Sequence, residues 1–543
     1  MANNGAWNTA TTVPANRATQ AVSLSVAARA AALGVDIPDF YLPAVKQTLF
    51  WDAPTLAHTG IDIDYKMTAY DWDDRELIWS VASGPSGMTI DADGTLHWTP
   101  SVEGSELVTV ECSFGGQQTL SKTFTCAVDN SRCVFVATDG SDTTGNGSVT
   151  APFASFEEAS KVVASATTAR MIYHRAGIYA KNPMSFFTGS ISSMNTLARK
   201  TWAENEPFFI RNYPGEYVQY HLLSGGGWRF YEGGTILYGM DVRGAGASAS
   251  NLNGTEQGGV VISGKSVAKR MKVYEYDCAK SGNCTGYRHT AETLLDQCEA
   301  WDNYDRLDPG FHNNGNFLAY ATGSESIGTY VIDCLSDGIG ARFSATGFKL
   351  KHAGLNPPVY HKCVDTGTEE SFTAICDKMT VRKCVFFTDI SLALGHGRTD
   401  EITGGVNTTD NGFLVEDNVV FARDTATTFG IGSTFDAVLS ANPPLFIGND
   451  FINYNNSADG NTFSRGAYTS SSGSDVWDIG FSNNRVFTPS PSNSVRVKGV
   501  SSGLATLTDM GTNNEILTAA PNYTFSGAGR NFQILNGVIS EIV

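Results

Sequence analysis

The stretch YEYDC at 274–278 is the first of five similar phrases, which continue as LLDQC at 294–298, VIDC at 331–334, VYHKC at 359–363 and VRKC at 381–384. In each phrase an apolar strand ends in a cysteine, and successive cysteines are separated by 20, 36, 29 and 21 residues. The phrase continues without cysteine in VEDNVV at 415–420, IGNDFI at 447–452 and FSNNRVF at 481–487. A repeat of this size predicts a solenoid, because a single rung cannot bury its apolar face and must stack on its neighbours.

The composition of the repeats indicates which kind of solenoid this is. Val, Ile, Phe and Tyr fill the strands, Gly, Asn and Asp fill the turns, and helical periodicity is almost absent. These features predict an all-β fold, a parallel β-helix with about eight or more rungs between positions 235 and 490. Five of the ten cysteines take equivalent rung positions, which predicts buried free thiols stacked along the interior. A Cys112–Cys126 bridge is an alternative for two of the others.

The charge and hydropathy of the chain exclude several classes of partner. Its 543 residues carry a formal net charge of −18 with a pI near 4.9, which argues against nucleic acid or an anionic membrane as partner. No stretch approaches about 18 consecutive apolar residues, so we expect no membrane span. The N-terminus lacks the basic and apolar segments of a signal peptide. The chain is expected to act where it is made, to leave by another route, or to have lost its signal.

Two regions precede the solenoid. Residues 17–33 are Ala-rich with apolar residues at helical spacing, which predicts a short helix in an N-terminal segment at 1–39. This helix either packs at a domain edge or attaches the chain to a larger assembly. From 40 to 131 the pattern changes to short alternating strands. The stretch PSGMTIDADGTLHWTPS at 85–101 resembles bacterial immunoglobulin-like and cadherin-like modules, and the resemblance implies a β-sandwich spacer domain.

A second resemblance begins at Cys133, in VFVATDGSDTTGNGSVTAPFASFEEASKVV at 134–163, MIYHRAGIYA at 171–180 and PFFIRNYPGE at 207–216. This succession resembles the start of right-handed parallel β-helices of the pectate-lyase type, and it implies a β-helix over 132–490 with a capping helix from Phe156 to Val163. Lyases, hydrolases, epimerases and viral adhesins share that fold. Residues 491–543 look like strands that cap the solenoid or join neighbouring subunits. Phage tailspikes built on β-helices are homotrimers with such elements, so the resemblance implies a homotrimer.

The stretch DQCEAWDNYDRLDPGFHNN at 296–314 is the richest in polar residues. Within it, YDRLDPGF resembles the calcium-binding segment of β-helix lyases, although Arg306 and Leu307 separate two acids that the family keeps closer together. Hard oxygen ligands from Asp302, Asp305 and Asp308 would suit Ca²⁺. The alternative is that these acids only form turns.

The stretch DGIGARFSATGFKLKHAG at 337–354 contains a local group of cations on an acidic chain. Strand alternation predicts that Phe348 and Leu350 face the core and that Lys349 and Lys351 face solvent. A lysine of this kind would abstract the proton next to a uronate carboxyl group in β-elimination, unless the lysines only increase solubility. The residues predicted to take part in catalysis are Lys349, Lys351, Arg342 and His312. Those predicted to bind substrate are Trp301, Tyr304, Arg306 and His352.

A hydrolytic alternative uses acids that follow the rung cysteines, namely Asp302, Asp337, Asp365 and Asp389. Acids on stacked rungs reach the carboxylate spacing of glycosidases.

These features together favour a tailspike-like or host-recognition spike protein that binds a host surface polysaccharide. Depolymerisation of that polysaccharide is a further option. It would be located in the virion and contact other tail proteins through its N-terminal segment. The alternatives are a secreted calcium-dependent polysaccharide lyase and a non-catalytic adhesive spike.

Overall fold

The structure is a computed structural model. It describes residues 47–168, 170–181, 206–222, 227–230, 233–244, 257–278, 284–290, 292–305, 315–320, 329–339, 346–351, 358–368, 370–375, 378–388, 392–396, 412–423, 427–431, 445–454, 463–465, 480–487, 494–498, 504–506 and 514–543. The N-terminal helix predicted at 17–33 lies outside these residues.

Three long sheets form the walls of a solenoid, with 12 strands in sheets A and B and 11 in sheet C. Neighbouring strands come from successive rungs and run parallel, except for the antiparallel last pair of sheet C. The strands of sheet A are Cys133–Val136, Met171–His174, Phe208–Asn212, Thr235–Tyr238, Val267–Lys269, Leu294–Asp296, Tyr330–Ile332, Val359–His361, Lys378–Arg382, Gly412–Glu416, Leu445–Ile447 and Gly480–Ser482. The strands of sheet B are Gly177–Lys181, Val218–Leu222, Asp241–Arg243, Lys272–Tyr274, Glu299–Trp301, Leu335–Ser336, Val364–Thr366, Val385–Thr388, Val419–Ala422, Asp450–Asn453, Arg485–Phe487 and Glu515–Ile516. The strands of sheet C are Trp228–Phe230, Gln257–Ile262, Cys284–His289, Gly315–Tyr320, Thr346–Lys351, Glu370–Ile375, Leu392–His396, Thr427–Ile431, Phe463–Arg465, Ser494–Lys498 and Leu504–Thr506. The predicted all-β fold, a parallel β-helix, is confirmed.

The turn from sheet A to sheet B explains the repeated phrase. A residue with left-handed backbone, such as Gln297, Lys362 or Asp417 with φ between 54° and 57°, turns the chain, and the next residue points into the solenoid. This inward residue is a cysteine in four successive rungs and an asparagine in the next three: Cys298, Cys334, Cys363, Cys384, Asn418, Asn449 and Asn484.

Cysteine and asparagine perform the same task in this stack. The Cys363 thiol donates to the Val331 carbonyl of the preceding rung at 3.3 Å, and the Asn449 side-chain amide donates to the corresponding Val415 carbonyl at 2.9 Å. Four of the five rung cysteines have described side chains, and these are buried and free, as predicted. Cys112, Cys126 and Cys133 are also buried and free, so the alternative Cys112–Cys126 bridge is not formed. Cys278 is a correction, since its strand Asp277–Cys278 follows sheet B and pairs with Tyr304–Asp305, while Met271 takes the inward position of that rung.

The first rung is closed by a single helix, α1, at Phe156–Ala164. The Ser155 side chain caps it by accepting a hydrogen bond from the Glu158 backbone amide. Phe156 stacks on Trp228 with ring centroids 5.6 Å apart, and Val163 is buried in the same core. The capping helix expected between Phe156 and Val163 is therefore present, and it covers strand ends that would otherwise be exposed.

The N-terminal domain, residues 47–130, lies along the outer face of sheet A. Its strands are Gln47–Leu49, Leu56–Ala57, Tyr65–Lys66, Ala69–Asp71, Leu77–Ser83, Thr89–Ile90, Thr95–His97, Gly104–Phe114 and Gln118–Val128, and the 3₁₀ turn Asn130–Arg132 joins it to the solenoid. One apolar core includes Tyr65 and Trp72 from this domain together with Tyr238 and Ile447 from sheet A. The sequence predicted a spacer, and the structure shows a domain that shares a core with the solenoid. The immunoglobulin-like resemblance stays a prediction.

The C-terminal meander consists of the antiparallel strands Tyr523–Gly527, Arg530–Leu535 and Val538–Ile542. Phe525 and Phe532 pack on Val364 and Phe421 on the outer face of sheet B. The meander therefore covers the middle rungs of this sheet, where the sequence predicted either an end cap or a contact between subunits. No helix in the described part of the chain is long and apolar enough to cross a membrane.

Candidate functional site

The early rungs of sheet B present polar and aromatic side chains on the outer face. Val242, Val273 and Ala300 occupy the central positions of three successive strands and point into the core, so the residues on either side of each point outward. We call this outward group, together with Tyr217, whose hydroxyl reaches Asp241, the sheet B patch. Its members are Tyr217, Asp241, Arg243, Lys272, Tyr274, Glu299 and Trp301.

The backbone register arranges the patch in two columns. Asp241, Lys272 and Glu299 are direct partners along one column, and Tyr274 and Trp301 are partners along the other. Stacked rungs are about 4.8 Å apart, so Asp241 and Glu299 are separated by roughly 9.6 Å of backbone. An extended ligand could therefore contact several rungs at once.

Asp241 and two tyrosines form the polar end of the patch. The Tyr217 hydroxyl donates to Asp241 Oδ2 at 2.9 Å, and Tyr217 also hydrogen-bonds Tyr274. Burial raises the pKa of Asp241 to about 6, against the opposing effects of Lys272 and of the Tyr217 hydrogen bond. Asp241 makes no ion pair within 4 Å among the described residues, so its carboxylate is available to a ligand.

Tyr274 and Trp301 form the aromatic part of the patch. Their rings are stacked and nearly parallel, with an interplanar angle of 5° and centroids 4.3 Å apart. Both side chains are partly exposed. Rings stacked in this way lose little conformational entropy when a ligand binds against their edges or outer faces. Aromatic side chains commonly line small-ligand sites for this reason.

Glu299 joins the patch to the C-terminal meander. Lys272 Nζ lies 2.8 Å from Glu299 Oε1, and Arg530 Nη1 lies 3.4 Å from Glu299 Oε2. Arg530 also pairs with Asp337 at 2.6 Å and with Glu541 at 2.8 Å. The side chain of Glu299 is only 3% exposed, so this acid holds cations in place and is poorly accessible to solvent.

The lysine ridge predicted on sheet C is corrected in part. Phe348 and Leu350 lie in the core, as predicted from alternation. Lys349 is buried at 1% exposure, because its row on the sheet, with Leu318 and Thr373 on either side, is itself buried. For Lys351 the structure describes only the backbone.

The other basic residues proposed around the lysines are not tested by the structure. On sheet C the register pairs Lys349 with Leu318 of the preceding rung. His312, Arg342, His352 and Arg306 lie outside the described residues. Their proposed roles stay predictions.

The predicted calcium site is described only in part. Asp302 is buried at 7% exposure and has a positive φ of 53°. The strand Tyr304–Asp305 is described by its backbone, and Asp308 lies outside the described residues. Within the part of the chain that the structure covers, no three His, Cys, Asp or Glu residues are grouped to hold a metal ion. The calcium ligands therefore stay a prediction.

The acids proposed for hydrolysis do not form an open column. Asp365 faces the interior, is completely buried and accepts hydrogen bonds from Thr368. Asp337 is nearly buried and binds Arg530. Asp389 lies outside the described residues.

The sequence pattern indicated Trp301 but not Tyr217, Asp241 or Tyr274. A signal for the last two was present in the repeat. On sheet B, two residues point outward after each inward stacking residue: the next one and the one three positions later. Asp241 directly follows the inward Met240, and Tyr274 lies three positions after the inward Met271. The cysteines alone do not reveal this signal, because methionine takes the inward position in those two rungs.

The comparisons with known proteins add little beyond the fold. No protein-family model and no curated protein matches the chain. Among solved structures, a rhamnogalacturonan lyase is similar at 11% identity with a TM-score of 0.32, covering 72% of this chain and 83% of its own. The pectate lyase Pel9A is similar at 14% identity with a TM-score of 0.33, covering 63% and 78%. The strand topology itself defines the class of protein, a parallel β-helix, and no activity follows from these likenesses.

Proposed function

We propose that this chain is a polysaccharide-binding β-helix protein and that the sheet B patch is its glycan site. The observation that carries the proposal is the partly exposed Tyr274–Trp301 pair beside Asp241 and Tyr217. A sugar ring has apolar C–H groups and many hydroxyls, and this patch offers aromatic carbon next to hydrogen-bonding groups of both kinds.

The biological setting belongs to the same proposal. We infer a tailspike-like or host-recognition spike in a virion, with the N-terminal segment contacting other tail proteins, and a secreted protein as the alternative. The order of an N-terminal segment, a folded domain and a solenoid in the sequence supports this setting. A homotrimer is expected, and light scattering after size exclusion should give three times the chain mass of 58.1 kDa. A monomer would remove the trimer from the proposal.

A binding assay with matched variants tests the site. Purified protein is titrated with a panel of acidic, neutral and basic polysaccharides, including envelope extracts of a candidate host. Trp301→Ala should weaken binding about tenfold, or ~1.4 kcal/mol, because it removes half of the aromatic pair. Trp79→Ala, which removes a partly exposed tryptophan of the N-terminal domain, should leave the affinity unchanged. Equal affinities of both variants and the parent would refute the patch as the site.

Depolymerisation is measured in the same reactions. New reducing ends together with absorbance from unsaturated uronates would indicate elimination, the reaction for which Lys349 and Lys351 were predicted, with Ca²⁺ tested against chelator. New reducing ends without that absorbance would indicate hydrolysis. Binding without products would indicate an adhesive spike.

A further inference from the structure

The glycan site carries a feature that selects among glycans, and this inference rests on the proposed function. We propose that the sheet B patch recognises a protonated amine on its glycan, so that amino sugars with a free ammonium group bind in preference to their N-acetylated or uronate counterparts. Asp241 is the group that contacts the ammonium, with Tyr217 and Tyr274 beside it.

The first support is the geometry around Asp241. Its carboxylate holds a phenol hydrogen bond on one oxygen and makes no ion pair within 4 Å among the described residues. Tyr217 is 56% exposed, so the group lies at the protein surface next to aromatic rings. A carboxylate beside aromatic rings is a favourable environment for an ammonium ion, which gains both charge-assisted hydrogen bonds and attraction to ring faces.

The second support is how the other charges of the patch are already used. Lys272 pairs with Glu299, and Arg243 pairs with Glu275 at 2.8 Å. These cations are therefore occupied by protein carboxylates. A uronate would have to compete with those carboxylates for a cation. An ammonium group would meet the Asp241 carboxylate, whose neighbouring cation Lys272 is held by Glu299. The net charge of −18 also favours the approach of a cationic glycan.

The protonation of Asp241 makes the preference dependent on pH. With its pKa near 6, Asp241 is mostly ionised at pH 7 and mostly neutral at pH 5. The charged and titratable groups that affect it are Tyr217, Lys272, Tyr274 and Glu299 on the outer face and Tyr287 from the interior. The preference for the amine should therefore weaken as the pH falls from about 6.5 to 5.

The experiment compares chitosan oligosaccharides, which carry free amines, with N-acetylated chitin oligosaccharides of equal length by calorimetry at pH 6.5. We expect the wild-type chain to bind the amino form about tenfold more tightly, the ratio that one charge-assisted hydrogen bond supplies. In Asp241→Asn this ratio should fall to near one. Asp91→Asn is the control, because it removes an exposed carboxylate of the N-terminal domain and should preserve the ratio.

The possible outcomes separate the two proposals. A ratio near one in the wild-type chain, or a preference that survives in Asp241→Asn, overturns the amine inference and leaves the glycan site standing. Loss of the ratio in Asp91→Asn as well would show only general charge attraction, and this also overturns it. If no oligosaccharide or polysaccharide binds at all, the proposed function fails together with the inference.

Discussion

Two arginine–glutamate pairs of nearly equal length lie on two of the three outer faces of this solenoid. On sheet A, Arg382 Nε lies 2.7 Å from Glu416 Oε2, and both side chains are completely buried. On sheet B, Arg243 Nη2 lies 2.8 Å from Glu275 Oε2, with the side chains 39% and 20% exposed. The difference arises from what covers each pair.

The N-terminal domain covers the sheet A pair. Trp72 lies against the Arg382 guanidinium at 3.9 Å from its ring centroid, and the Arg382 guanidinium donates to the Tyr70 hydroxyl at 3.3 Å. Buried charges must be matched by partners. Arg382 has Glu416 on its own sheet and Tyr70 and Trp72 from the N-terminal domain. On the early rungs of sheet B the C-terminal meander contacts Glu299 through Arg530, whereas Tyr217, Tyr274 and Trp301 are exposed or partly exposed. These last side chains therefore remain available to a ligand. The same wall geometry thus serves assembly on one face and, in our proposal, binding on the other.

The largest effect is expected at the covered pair. Arg382→Ala should lower the free energy of unfolding by about 3–5 kcal/mol, because it leaves the Glu416 carboxylate buried without its cation. Urea unfolding followed by tryptophan fluorescence measures this loss. Arg382→Lys keeps the charge and should lose less. A loss below about 1 kcal/mol in the alanine variant would contradict the idea that the two faces differ.

A buried acid in the interior gives the next effect. Burial raises the pKa of Asp365 to about 6, despite hydrogen bonds that favour its charged form. Protonated Asp365 therefore stabilises the folded state fully below the unfolded pKa near 4. This stabilisation is lost as the pH rises through about 6. Asp365→Asn does not titrate, so its stability relative to wild type should improve by roughly 2 kcal/mol between pH 4 and pH 7.5. Urea midpoints at the two pH values measure this difference, and a constant difference would show that Asp365 titrates normally.

This acid also sharpens the contrast with Asp241, whose pKa is raised to a similar value. Both raised pKa values should couple pH to folding, because each lies above the unfolded value near 4. Asp365 is completely buried, whereas Asp241 is partly exposed and should couple pH to binding as well. Asp241→Asn should therefore change the pH dependence of both amino-glycan affinity and stability, whereas Asp365→Asn should change that of stability alone.

The smallest effect is expected at the exposed pair. Arg243→Ala should change the free energy of unfolding by less than about 1 kcal/mol, because water solvates the remaining Glu275 carboxylate. Urea unfolding measures this change, and the loss of unfolding free energy in Arg382→Ala is the reference value. Equal losses in the two variants would remove the distinction between the covered and uncovered faces.

The sequence predicted the solenoid better than its surface. The repeated phrase marks a turn with a left-handed residue and an inward stacking residue, and these constraints are local enough to leave a pattern around Cys298 or Asn418. The cover of sheet A by Trp72 and Tyr70 joins residues about 300 positions apart, as in the Tyr70–Arg382 contact, and such contacts leave no periodic signal.

The candidate site shows the same limit. Alternation correctly placed Phe348 in the core, but it could not reveal that the opposite row, with Lys349, is buried as well. Tyr217 precedes its strand and reaches Asp241 only because two rungs stack. The exposure of a side chain, and which side chains it meets, depend on neighbours from other rungs. The sequence of one rung does not contain that information.

Hydroxyl-radical footprinting of the chain with and without its bound polysaccharide tests the central claim most directly. The account predicts that Tyr217 and Trp301 lose reactivity on binding, while Leu107, which is 63% exposed on the N-terminal domain, keeps its reactivity. Unchanged reactivity of Tyr217 and Trp301 together with protection elsewhere would contradict the assignment of the glycan site to sheet B.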